Sequence, residues 1–143
     1  MANKNDSNSE LIKALDSILE AELSGVVRYL HYSFMIFGPN RIPITKWFRD
    51  HANEGIMHAV TIGEKITALG GHPSVKVTAV PETNKHTVLE ILEESLQFEE
   101  KTLKDYHNVL ELVGGDIALE ETIRGLILEE TGHIEEVRKM IRK

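Results

Sequence analysis

The sequence predicts an all-α chain: four long helices, paired as two antiparallel hairpins, with one long crossover between the pairs. Three observations predict it. Four segments of about 25 residues carry apolar residues at helical spacing, Gly/Pro clusters separate them, and no stretch alternates cleanly enough to form a strand. The first and third connections are short, as antiparallel neighbours require, whereas the middle one is long.

The first segment runs from about Glu10 to Phe37, with Ser7 and Glu10 as a capping box and GPNRIP (38–43) as its stop. The second runs from about Ile44 to Leu69 and halts at GGHP (70–73). The stretch SVKVTAVPETNK (74–85) has no periodicity. The third runs from about Val88 to Val113, with Thr87 and Glu90 as its capping box, and ends at Gly114 and Gly115. Asp116 is the N-cap of the fourth, which continues nearly to the C-terminus. A connection of roughly 15 residues reaches about 50 Å when extended, and a helix of about 25 residues spans only about 38 Å. The crossover can therefore traverse the bundle and start the third helix beside the second.

A chain of 143 residues suits a single domain, 1–143, with a core of its own. The polar start, MANKNDSNSE, lacks the apolar region of a signal peptide, and no apolar run is long enough for a membrane. The formal charge of −7 argues against nucleic acid as a partner and favours cations. Zero cysteines exclude thiolate metal sites and fit a reducing, cytoplasmic setting.

Residues at i±3, i±4 and i±7 share a helix face. On that test Glu22 lies among Leu15, Ile18, Leu19, Val26 and Tyr29. Glu99 lies among Leu92, Leu96, Leu103 and Tyr106, and Glu130 among Ile123, Leu126, Ile127, Ile134 and Val137. The neighbouring acids Glu20, Glu100 and Glu129 read as surface charge. His133 is one turn from Glu130 on the same face, and His58 lies in a mixed setting on the second helix. A single glutamate on an apolar stripe ordinarily snorkels to water. Three on separate helices, with two histidines, would repel one another in a common core unless a multivalent cation sits among them. Oxygen and imidazole ligands without sulfur suit iron or manganese, and zinc also accepts them.

The candidates repeat along the chain. Glu22 precedes His58, and Glu99 precedes Glu130 and His133. This is the general pattern of ferritin-like di-iron carboxylate bundles, in which two helices give one Glu each and the other two give Glu-x-x-His. The segments AELSGVVRYLHY, MHAVTIGEKITALGGHP, LQFEEKTLKDYHNVLE and LEETGHIEEV together resemble the bacterioferritin branch of the ferritin-like superfamily over nearly the whole chain. The resemblance implies a ferritin-like four-helix bundle. It implies metal ligation by Glu22, His58, Glu99, Glu130 and His133, and a catalytic or redox neighbour in Tyr29. The implied function is binding of iron, as a pair or a single ion, and oxidation of Fe(II) by oxygen or peroxide for storage or detoxification. The implied assembly is a homodimer, with a larger shell as an extension. A non-catalytic metal-binding or interaction scaffold on the same fold is the alternative.

Three departures qualify it. Three residues before His58 the family has a bridging glutamate, and here stands Gly55. Glu54, one residue off, is turned by about 100° and would need a one-residue π-bulge to swing inward; His51, one turn earlier, could approach the gap, but reads more simply as an exposed histidine. At the position of bacterioferritin's haem-ligating methionine stands Ile56, with Met57 next to it, so haem is not expected. The chain ends about ten residues past His133, short of the fifth helix that helps close the family's cage. Each ligating histidine should also donate its second ring nitrogen to an acceptor that sets the tautomer.

Overall fold

The computed structural model describes residues 4–143, with side chains from residue 8 onward. Its helices are α1 (Lys4–Phe34), α2 (Arg41–Ala68), α3 (Val88–Leu112) and α4 (Ile117–Ile141), and no strand occurs among the described residues. Among the described residues, no helix is long and apolar enough to cross a membrane.

The boundaries follow local chemistry, with two corrections at the start of the chain. Helix α1 begins at Lys4, so Ser7 lies inside it and does not cap it. Once a helix is nucleated, extending it by a turn costs little. The side chain of Ser7 lies outside the described residues. The same helix ends at Phe34 rather than Phe37, because Arg41 Nη1 of the next helix donates to the Ile36 and Ser33 carbonyls at 2.6 and 3.2 Å. Helix α2 starts three residues earlier than the periodicity suggests. It takes Pro43 into its first turn, where a missing N–H costs nothing. Its far end closes in a Schellman motif: Gly71 N donates to Ile66 O and Gly70 N to Thr67 O, with Gly70 at φ +84°. Both predicted caps of the second hairpin form. Thr87 and Glu90 make the reciprocal capping box, and the Asp116 carboxylate accepts from Leu119 N.

The crossover climbs the side of α1. Ser74 N donates to Asp16 Oδ1 at 2.8 Å, and Glu82 reaches His31 at 2.6 Å. It therefore delivers α3 against α1 rather than beside α2, a correction to the expected neighbour. Helices α1 and α3 run antiparallel, since Glu22 meets Tyr106 and Tyr29 meets Glu99. Helices α2 and α4 oppose each other in the same way, His58 facing Glu130 and Glu54 facing His133.

The apolar core is in two parts. One packs Leu15, Ile18, Ile62, Ile66, Val109 and Ile123 at one end of the bundle. The other packs Tyr32, Ile36, Phe48, Ile91, Leu92 and Val137 at the opposite end. Between them lies a layer of buried polar side chains.

Candidate metal centre

That layer holds Glu22, Glu99 and Glu130, each no more than 5% exposed, and His58, also 5% exposed. His133 is less buried, with 16% of its side chain accessible. All five line one cavity of about 10 Å³, room for a single water-sized occupant. Ligand atoms of Glu22, His58 and Glu130 lie within 4.8 Å of one another, and so do those of Glu99, Glu130 and His133. Glu130 belongs to both groups.

The supporting polar contacts show an internal dyad. Tyr29, seven residues after Glu22, donates to Glu99; Tyr106, seven residues after Glu99, donates to Glu22 Oε1 at 2.9 Å. His58 Nε2 meets Glu129 Oε2 at 2.6 Å, and His133 Nε2 meets Glu54 Oε2 at 2.7 Å. Each histidine thus turns its outer nitrogen to a carboxylate and its Nδ1 to the cavity, as the tautomer argument requires. Glu129, expected to be mere surface charge, is 58% exposed and still holds His58. It flanks the α2–α4 cleft one helical step from the inward Glu130. Glu54 has the matching place on α2. It is committed to the back of His133 and is not turned inward in place of the absent bridge.

Gly55 lies on the inward face, as its stripe predicts, and is buried against α1. A Cβ there would stand 3.3 Å from Val26 Cγ2 and 3.7 Å from Glu22 Oε2. His51 corrects the sequence reading, being only 8% exposed. Its Nδ1 donates to Trp47 O at 2.7 Å, and its ring centroid is 4.2 Å from that of His133. Trp47, Tyr29 and His133 enclose it, and the contacts with Tyr29 and His133, which come from other helices, do not follow from its neighbours in sequence. Burial, then the facing His133, pushes its imidazole down and keeps it neutral. Tyr106 was legible in the stripe around Glu99; its bond to Glu22 was not.

Electrostatics fit a site built to receive positive charge. Burial, then hydrogen bonding and repulsion from Glu130, raises the Glu99 carboxyl well above the usual range. Burial alone would lower His58, but the surrounding carboxylates of Glu130, Glu22 and Glu129 push it up to about 11. Without metal, an imidazolium therefore balances part of the carboxylate charge. Several buried atoms around the cavity have no hydrogen-bond partner, among them His58 Nδ1, His133 Nδ1, Glu130 Oε2 and His51 Nε2. Buried polar atoms are rarely left so, and nitrogen and carboxylate donors converging on one cavity suit a metal ion.

The His58 environment has a measurable consequence. A histidine raised in the folded state contributes stability that is complete below its unfolded value of about 6.5 and is lost as pH rises through its folded value. The metal-free protein should therefore lose melting temperature steadily from pH 7 to pH 9, and His58→Gln should flatten that slope. An equal slope in the variant would show that His58 carries no proton there.

The residue pattern and the fold now decide the family. The ferritin-like domain model matches residues 12–143. The chain belongs to the ferritin-like domain family. Among solved structures, this ferritin-like chain is similar to a ferritin-like, diiron-carboxylate protein from Bacillus anthracis str. Ames, with TM-score 0.91 and 28% identity, covering 99% of this chain and 100% of that one. It is similar to Rhodobacter capsulatus bacterioferritin, with TM-score 0.81 and 25% identity over 93% and 84% of the two chains. Desulfovibrio desulfuricans bacterioferritin shares the fold, with TM-score 0.88 and 22% identity over 99% and 83%. Among curated proteins none matches.

Proposed function

We propose that this ferritin-like protein binds iron between its four helices and oxidises Fe(II) with oxygen or peroxide. One observation carries the reading. Three buried glutamates from three helices converge with two imidazole Nδ1 atoms on a cavity the size of one water, and Glu130 is common to both ligand groups.

In this reading Glu22, His58 and Glu130 hold one Fe(II), and Glu99, Glu130 and His133 hold the other. The two ions would supply one electron each to oxygen. The protein's own part is positioning and charge. Glu129 and Glu54 keep each histidine's Nε2 protonated, leaving Nδ1 for the metal. Tyr106 and Tyr29 orient Glu22 and Glu99. Tyr29 touches a ligand of the site and is the residue best placed for a redox or proton-transfer part. Binding at His58 must displace its proton, so affinity there should rise with pH.

The setting is a reducing compartment such as the cytoplasm, with the 143 residues acting as one domain. A homodimer suits the apolar residues exposed on adjoining helices α1 and α2, including Val27, Phe34, Met57 and Val60. Storage of mineral would need a larger shell of such dimers. Gly55 favours a second reading, a metal-binding scaffold without oxidase activity, because one bridging carboxylate is missing.

The deciding experiment adds two Fe(II) per subunit to metal-free protein in air. Iron retained on the chain with oxygen consumed well above the protein-free rate is the expected result. Iron retained with oxygen consumption at that background rate would select the scaffold reading. No retained iron would overturn both.

A further inference from the structure

The internal dyad makes the departure at Gly55 more informative than a missing ligand. Residues 54, 55 and 58 of α2 correspond to 129, 130 and 133 of α4, an offset of 75. Glu54 matches Glu129 and His58 matches His133, in identity and in setting each histidine's Nε2 against a carboxylate of the opposite helix. Gly55 breaks the correspondence with Glu130. By the same offset His51 corresponds to Leu126, which is buried in the apolar core. On one face of α2, one turn apart, a carboxylate is therefore absent and an imidazole present.

The placement of that imidazole is specific. Its Nδ1–H is committed to the Trp47 carbonyl, which leaves Nε2 with a lone pair. Nε2 is buried and has no hydrogen-bond partner, although His51 lines the same cavity as Glu99 and His133. Ligand atoms of His51, Glu54 and His133 lie within 4.8 Å of one another. An ion with bonds of about 2.0–2.2 Å can close that spacing with small side-chain movements.

We propose that His51, through Nε2, is a metal ligand on the His133 side of the site, standing in for the carboxylate that Gly55 lacks. This rests on the metal-binding reading above. The exchange replaces an anionic oxygen with a neutral nitrogen. The site therefore carries one negative charge fewer than its symmetric counterpart, and its ligand set is richer in nitrogen on the Glu99–His133 side. Glu130 is left as the sole bridging carboxylate.

The test uses anaerobic Co(II), whose visible absorption reports nitrogen ligation directly. Wild type, His51→Ala and Glu130→Gln are titrated, each first checked for helical content. His51→Ala should weaken Co(II) binding on the Glu99–His133 side at least tenfold and change the visible band. Added imidazole should restore both, because it fits the space left by the ring; a purely structural role would not be rescued this way. If His51→Ala does not fold, His51→Gln, closer in volume and a poor ligand, takes its place. Unchanged affinity and band in the His51 variant, with binding weakened in Glu130→Gln, would overturn this inference and leave the metal-binding reading standing. Absence of Co(II) binding to the wild type would overturn both.

Discussion

Glu130→Gln is expected to abolish most of the stabilisation that the proposed metal binding should give this protein. Glu130 is 4% exposed and is the one residue common to the Glu22–His58 and Glu99–His133 groups, so its loss weakens both positions at once. Ligand linkage gives about 2.7 kcal/mol at a metal concentration of 100 times Kd, or roughly 9 °C of melting temperature for a chain of this size. The variant should show little of that gain. Without metal its stability should stay within about 1 kcal/mol of wild type, because two effects oppose. Glutamine gives His58 a weaker partner, but it removes the repulsion that helps to push the Glu99 carboxyl up. The measurement is thermal unfolding with and without Co(II). An undiminished metal response would place the bound ions elsewhere in the protein.

The second large effect is expected at Gly55, and its sign should change with metal. Gly55→Glu places a fourth carboxylate beside Glu22, and the Cβ alone falls 3.3 Å from Val26 Cγ2 and 3.5 Å from Glu22 O. Helices α1 and α2 have closed over the glycine, so the metal-free variant should lose about 1–3 kcal/mol to overpacking. Up to about 1 kcal/mol of helix propensity offsets this. With Fe(II) or Co(II) the order should reverse, because the added side chain supplies the second bridge and completes the dyad with Glu130. Faster oxygen consumption with two Fe(II) per subunit should follow. Gly55→Ala is the control, since it adds the Cβ without a ligand. If Gly55→Glu and Gly55→Ala respond alike to metal, the new carboxylate does not reach the ions, and the bridge has to be sought elsewhere.

Much of the protein is written in one dimension. Helical periodicity with Gly, Pro and capping residues set four helices, and the caps at Thr87 and Asp116 formed as read, because a cap depends on residues three apart. The inward direction of Glu22, Glu99 and Glu130 was equally legible, since side chains at i±3 and i±4 share a face whatever the helix later packs against. Gly55 could be assigned to the same face for that reason.

What the sequence could not settle is every relation between residues far apart in the chain. The hydroxyls that orient Glu22 and Glu99 come from Tyr106 and Tyr29, more than 69 positions away in each case. Glu129 looked like ordinary surface charge and Glu54 like a residue turned away from the missing bridge, and they came to face His58 and His133 only when α2 and α4 were brought face to face. The crossover was long enough to traverse the bundle, but that it lays α3 on α1 depends on its contacts with Asp16 and His31. His51 is the sharpest case. Its neighbours in sequence are too mixed to decide its exposure, and it is buried because His133 and Tyr29, from two other helices, close over it. Periodicity reports which way a side chain points along its own helix; only packing decides what stands opposite, and a metal centre is made of what stands opposite.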